Sequence, residues 1–306
     1  MARNFLSIDD LNGSQLEHLL ELAERIKRSP ADFRDRLAGC AVAMIFEKPS
    51  TRTLVSFEVG IAQLGGYPLA LSSSDMQLGR GETIEDTGRV LSRYVDAVVV
   101  RTFGQERLEG LASTSEVPVV NALSDFEHPC QCLGDLLTIK EKKDKLPGLT
   151  MAYIGDGNNV AHSLILGGAK SGMNVRVATP PGYEPIPQVV HRANEMGEET
   201  GGTAEVSNDP EAAAKDADVL YTDVWASMGQ EEEASERSLV FQSFRIDQGL
   251  VGQARSDAIV MHCLPAHRGQ EITDDVIDGP QSVVWDQAEN RLHAQKALLV
   301  WLLGRD

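Results

Sequence analysis

The sequence predicts an α/β protein of two domains, each with a central parallel sheet flanked by helices. Three observations carry this reading. The chain has 306 residues, enough for a sizeable core and more than one domain usually needs. Apolar runs of strand length alternate with amphipathic stretches of helical spacing, which is the rhythm of a parallel sheet. A charged stretch, Lys140 to Lys145, followed by Pro147-Gly148, interrupts that rhythm near the middle. The division falls there, giving domains of residues 1–145 and 148–306.

Residues 9–29 place Leu16, Leu19, Leu20 and Ile26 on one helical stripe. Ala41 to Phe46 is an apolar run of strand type, and Val55 to Leu64 has helical spacing up to the stop signal Gly65-Gly66. Tyr67 to Leu71 is a short apolar run. A polar loop follows, then a helix opening at Thr83-Ile84-Glu85-Asp86. Asp96 to Val100 and Val117 to Ala122 are predicted strands, and Gln131 to Lys145 a helix. In the second half, strands are expected at Leu149 to Ile154, Asn174 to Ala178, Ala217 to Tyr221, Ala258 to Met261 and Val283 to Trp285. A final helix, about 288–304, carries Arg291, Ala294, Leu298, Leu299 and Leu302.

Composition narrows the function. No run is long enough to span a bilayer, and MARNFLSIDD lacks a signal-peptide apolar segment, so a cytoplasmic location is expected. Cys40, Cys130, Cys132 and Cys263 form no CxxC pair, which argues against a disulfide framework or a zinc site. The net charge of −18 disfavours nucleic acid and anionic membranes as partners. Nine lysines stand against nineteen arginines, and acidic residues cluster at Glu231-Glu232-Glu233 and Asp274-Asp275. This pattern suggests adaptation to high salt, where screening relieves self-repulsion.

The unusual residues fall in a pattern. Arg52, Arg101, His128, Asn159, Asp223 and Cys263 each follow the carboxyl end of a predicted strand, where open α/β sheets bind ligands. Two such edges facing one another would make a cleft between the domains. Ser50-Thr51-Arg52-Thr53 lies between a strand and a helix, with Pro49 setting the entry. Free N–H groups, the helix dipole, hydroxyls and a guanidinium fork together suit a phosphate; the plainer alternative is an ordinary Ser/Thr cap with a solvated arginine. His128 and Gln131 are three residues apart at a helix start and can serve a carbonyl or an amide, although a buried structural histidine has the same appearance. Cys263 fits a core position equally well, and Asp223 fits a helix N-cap. Gly155-Asp156-Gly157 begins like a dinucleotide fingerprint, but Val160 occupies the third small position and no acidic residue ends the next strand. A tight turn presenting Asn159 is the better reading.

Taken together, FEKPSTRT, HPCQ, GDGNN, DVWASMG, HCLPAHRG and ENRLHAQKALL resemble the ornithine carbamoyltransferases in order and spacing, from Phe5 to Gly304. One position departs from the family pattern: Leu54 stands where arginine is usual. The resemblance implies two parallel-sheet domains with the active site in the cleft between them, the final helix packing back on the first domain. It also implies a homotrimer, which in some members assembles further. The implied reaction joins carbamoyl phosphate and L-ornithine to give L-citrulline and phosphate, with no metal or organic cofactor. By the same resemblance, Ser50, Thr51, Arg52 and Thr53 hold the phosphate, and Arg101, His128 and Thr53 polarise the carbamoyl carbonyl. Gln131 and the backbone at Cys263-Leu264 hold the amide, Arg291 adds a positive contact, and Gln77 reaches a neighbouring subunit's site. Asn159, Asp223, Ser227 and Met228 bind ornithine, with Asp223 and Cys263 counted among the catalytic groups. Alternatives are a transcarbamylase for another amine, such as putrescine, and an inactive carbamoyl-phosphate-binding relative.

The charge pattern predicts that the melting temperature rises between low-salt buffer and molar KCl, because 1 M salt shortens the reach of surface repulsion to about 3 Å. A flat or falling series contradicts salt adaptation.

Overall fold

The computed structural model describes residues 3–72, 81–226 and 233–306. The chain divides into two compact units, Met1–Leu137 with Glu289–Asp306, and Thr138–Ala288.

In the first unit, Ser7 caps a short 3-10 turn at Ile8–Asp10, and Asn12 and Gln15 form a capping box for α1 (Gly13–Arg28). The single helix expected over 9–29 is therefore split, since each of these caps starts its own turn. Four parallel strands follow: β1 (Ala41–Phe46), β2 (Tyr67–Ser72), β3 (Ala97–Arg101) and β4 (Val119–Leu123). Between and after them lie α2 (Thr51–Gln63), α3 (Ile84–Leu91), α4 (Gln105–Thr114) and α5 (Pro129–Lys143). The sheet order is β2-β1-β3-β4. β1 and the Ala97–Val100 part of β3 are apolar and, apart from the two ends of β1, buried on both faces, as central parallel strands require.

The second unit has a five-stranded parallel sheet of order β7-β6-β5-β8-β9. Its strands are β5 (Thr150–Ile154), β6 (Asn174–Ala178), β7 (Thr203–Ser207), β8 (Val219–Thr222) and β9 (Ile259–His262). The helices are α6 (Asn159–Lys170), α7 (Pro187–Thr200), α8 (Pro210–Ala214), α9 (Ala234–Val240), α10 (Gln248–Val251), α11 (Asp274–Ile277) and α12 (Val284–Leu302), whose later residues belong to the first unit. The expected strand at Val283 to Trp285 is not one. Val260 N–H donates to Gln281 O and Val283 N–H to Val260 O, so this segment runs beside β9 only as a bridge before Val284 opens the helix. β7 escaped the sequence reading because only Ala204 of its five residues is buried, leaving no apolar run.

Both sheets reverse direction of travel once. From β1 the chain moves outward to β2, while β3 returns to the other side of β1; β5 stands in the same relation to β6 and β8. The crevice at such a switch point is where ligands of open α/β sheets bind. In the second unit the turn after β5 depends on Gly157. A Cβ there would lie 2.3 to 2.5 Å from backbone atoms of residues 183–185, and the Gly157 N–H donates to Tyr183 O at 2.9 Å. The glycine serves a close backbone approach, not a dinucleotide.

Candidate functional site

At the switch point of the first sheet, the turn leaving β1 is fastened to the ends of β3 and β4. Glu47 N–H donates to Arg101 O at 2.9 Å. The Glu47 carboxylate accepts from the Thr102 hydroxyl and from both Nε and Nη2 of Arg107. Lys48 pairs with Asp125 and lies 4.4 Å from the Phe103 ring centre. With Glu47 and Lys48 committed to these partners, the turn delivers Ser50 as the N-cap of α2, its Oγ accepting from Thr53 N–H at 3.3 Å. The first turn of a helix has no internal acceptors for its leading N–H groups, so α2 presents donors and a positive dipole end here. Thr51 and Arg52 are exposed, whereas Thr53 is fully buried.

Three guanidinium groups gather near this turn. Arg101 ends β3, where the register to β4 shifts between Val100 and Arg101; irregularities of this kind re-aim side chains beside sites. Arg291, on α12, donates from Nη2 to Thr53 Oγ1 at 2.6 Å. Its approach to α5 depends on Gly134, where a Cβ would lie 3.1 to 3.2 Å from Arg291 Cγ, Cα and N. His128, buried just before α5, feels all three cations. Burial first, then the charges of Arg291, Arg101 and Arg52, hold its imidazole well below the usual histidine range. The ring is therefore neutral at physiological pH, and can donate a hydrogen bond to an oxygen that gathers charge. One helical turn on, Gln131 Nε2 donates to Asp135 Oδ1 at 2.8 Å. A carboxylate only accepts, so this contact fixes the amide orientation. Among the described residues the buried Gln131 Oε1 has no hydrogen-bond partner, an acceptor suited to an N–H donor. Cys130, by contrast, donates to Asn121 O at 3.3 Å, and burial pushes its thiol up to about 12, which makes it an inert core thiol.

The second unit carries the opposite charge at its switch point. Asp223, just after β8, is buried and held by three donors. Cys263 Sγ and Val224 N–H reach Oδ1 at 2.9 and 2.8 Å, and Asn158 Nδ2 reaches Oδ2 at 2.9 Å. A carboxylate offers about four acceptor positions, of which donors among the described residues fill three, and the remaining one suits a cation. Asn158 also caps α6, accepting from Val160 N–H and Ala161 N–H. Among the described residues Asp223 caps no helix, since Glu233 stands at the start of α9. Leu264 has φ 58, a left-handed conformation that costs a branched residue energy and tends to occur at functional sites. Its N–H donates to His262 Nδ1 at 2.9 Å, which places the ring hydrogen on Nε2, facing Glu271 at 3.1 Å. Asp223, His262 and Cys263 bring potential metal-ligand atoms within 4.8 Å of one another. Both His262 nitrogens are already engaged, however, so the trio does not fit a metal centre.

Comparisons with known proteins agree on one assignment. Residues 3–141 match the family model for the aspartate/ornithine carbamoyltransferase carbamoyl-P binding domain, and residues 147–302 match the Asp/Orn binding domain. An ornithine carbamoyltransferase of Parafrankia sp. (strain EAN1pec) is 61% identical over 99% of this chain and 96% of its own length. That of Thermococcus kodakarensis is 57% identical over 99% and 97%. The solved ornithine carbamoyltransferase of Pyrococcus furiosus superposes with a TM-score of 0.96 at 54% identity, covering 99% of this chain and 97% of that one.

The chain belongs to the aspartate/ornithine carbamoyltransferase family.

The residues singled out by resemblance to that family fall into two groups. Ser50, Thr51, Arg52, Thr53, Arg101, His128, Gln131 and Arg291 lie in the first unit; Asn159, Asp223, Cys263 and Leu264 lie in the second. Gln77, Ser227 and Met228 lie outside the described residues. The partner of Asp223 is Asn158, which the sequence reading passed over in favour of Asn159, the half-buried first residue of α6. The N-cap rule would have found it, because an Asn before a helix turns its oxygen to the helix and its NH2 away. Asp135 and Gly134 were also missed; both act through another residue and leave no motif.

His128 gives a pH prediction. A native value below the ordinary 6.5 means the unfolded chain takes up the proton first as pH falls. This contribution to stability is complete above the unfolded value and is lost as pH falls below it. Urea unfolding should therefore show the wild type losing more stability than His128→Gln between pH 7.5 and 5.5, and the His128 ring should show no NMR titration centred near 6.5. A normal titration contradicts the assignment.

Proposed function

We propose that the chain transfers the carbamoyl group of carbamoyl phosphate to the side-chain amine of L-ornithine, giving L-citrulline and phosphate. The observation that carries this is the convergence of Arg52, Arg101 and Arg291 on a neutral His128 at the N-terminus of α2. Such a cluster suits an anion that must leave with its charge. Asp223, an anchored carboxylate at the switch point of the second unit, suits an amino acid's ammonium.

Ser50, Thr51, Arg52 and Thr53 hold the phosphate. Arg101, His128 and Thr53 stabilise the carbamoyl oxygen as negative charge develops, and Arg291 keeps Thr53 in place while adding charge. Gln131 Oε1 and the backbone at Cys263-Leu264 accept from the carbamoyl NH2. Asp223 takes the α-ammonium of ornithine, with Asn159, Ser227 and Met228 completing the amino-acid site. The uncharged side-chain amine attacks the carbamoyl carbon, the bond to the phosphate oxygen breaks, and the departing phosphate takes the amine's proton. Alignment of the two substrates supplies much of the rate. In this reading residues 1–145 form the carbamoyl-phosphate domain and residues 148–306 the ornithine domain.

The protein works as a cytoplasmic homotrimer, with Gln77 serving a neighbouring site, in arginine synthesis or, in reverse, arginine breakdown. Edge strand β2 with exposed Tyr67, and exposed Val55 and Val59 on α2, support association. No helix among the described residues is long and apolar enough to cross a membrane. The −18 charge supports function at high salt.

Purified protein should form citrulline from ornithine and no product from putrescine; the reverse preference contradicts the reading. Asp223→Asn should raise the ornithine KM by the equivalent of about 2–5 kcal/mol, the size expected for a lost charge partner in a closed site. The carbamoyl phosphate KM should stay nearly constant. An unchanged ornithine dependence removes Asp223 from the site.

A further inference from the structure

Arg237, on α9, is buried although it is charged. Its Nη1 donates to Asp156 Oδ2 at 3.0 Å and to the Trp225 carbonyl at 2.9 Å, and its Nε donates to Glu233 Oε2 at 3.0 Å. The guanidinium also lies 4.9 Å from the centre of the Tyr183 ring. These contacts join the turn after β5, the segment after β8, the loop after β6 and the start of α9. Asp156 stands two residues before Asn158, and Trp225 two residues after Asp223. One cation thus fastens together both strand ends of the switch point, two residues along the chain from each partner of the 2.9 Å contact between Asn158 and Asp223.

Fold stability is a poor reason for this arrangement. Burial outweighs the attraction of Arg237 and pushes the Asp156 carboxyl up to about 6. A raised native value means protonation favours the folded state, so above pH 6 the charged carboxylate is kept at a cost to stability. Buried ion pairs are in general weak sources of stability, while their geometry is demanding. The same fork could have been replaced by apolar packing against Trp225, Phe241 and Phe244, which already form part of the surrounding core.

We propose that Arg237 and Asp156 are positioning residues for the amino-acid end of ornithine, setting the spacing of Asn158 and Asp223 without touching either substrate. The inference rests on the reading of the second unit as the ornithine-binding one. The charged and titratable groups facing Asp156 are Arg237 and Glu233 from α9, Asp223 from the segment after β8, and Tyr153 from β5, whose phenol is itself pushed well up by burial, Asp223 and Asp156. As pH falls through 6, Asp156 gains a proton and Arg237 loses that charged partner, keeping Glu233, the Trp225 carbonyl and the Tyr183 ring among the described residues.

The test is steady-state citrulline formation by the wild type, Asp156→Asn and Arg237→Lys, varying each substrate in turn. Asp156→Asn removes the charge while keeping the shape, and Arg237→Lys keeps the charge while removing the planar fork. Both should raise the ornithine KM roughly tenfold, a typical coupling between contacting residues, with the carbamoyl phosphate KM unchanged. The wild-type kcat/KM for ornithine should also show a break near pH 6 that Asp156→Asn lacks. An unchanged ornithine KM in both variants, or equal changes for both substrates, overturns the inference. A wild type that makes no citrulline overturns the underlying reading and the inference with it.

Discussion

The structure depends on concentrating positive charge at one point of a chain whose net charge is −18. Phosphate is a good leaving group only if its charge is met as it departs, and a rigid array of donors meets it without reorganising. The first unit brings a helix N-terminus and three guanidinium groups together, which supports the proposed phosphate site. It also keeps other charges out of the way: Glu47 is occupied by Thr102 and Arg107, and Lys48 by Asp125. The consequence for His128 follows directly. Surrounded by cations and buried, it stays neutral and acts as a dipole, not as a fourth positive charge.

The second unit applies the same architecture with the opposite sign. Its switch point presents one carboxylate, Asp223, with three of its acceptor positions filled by protein donors. A neighbouring carboxylate, Asp156, is matched by Arg237 and therefore does not compete for an ammonium. In the proposed reading, selectivity between an acidic and a basic second substrate follows the sign of the charge left unmatched after the buried pairs are formed. The left-handed Leu264, braced by His262 and Glu271, shows that the loop after β9 is also held in a conformation that local preference alone would not choose.

Much of this was legible in the sequence because it has a local signature. Apolar runs marked eight of the nine strands among the described residues, and the turn Pro49 to Thr53 announced a helix N-terminus through residue type alone. Arg101, His128 and Asp223 could be singled out because each follows a strand. What stayed hidden is what depends on pairing in three dimensions. β7 has one buried residue and no pattern to read. The triplet Val283 to Trp285 is apolar enough for a strand, but after one bridge the chain turns into helix. Asn158 has no motif of its own; only its cap position before α6 marks it. Arg237 has no motif; it is recognised only once its four partners are seen around it.

The central claim is that Arg52 and its two companions form the phosphate site. Calorimetric titration of the wild type and Arg52→Ala with carbamoyl phosphate tests it most directly. Loss of one charge-assisted contact typically removes about 1.5–3 kcal/mol, so binding should weaken by roughly tenfold to a hundredfold. Wild-type affinity in Arg52→Ala would contradict the account.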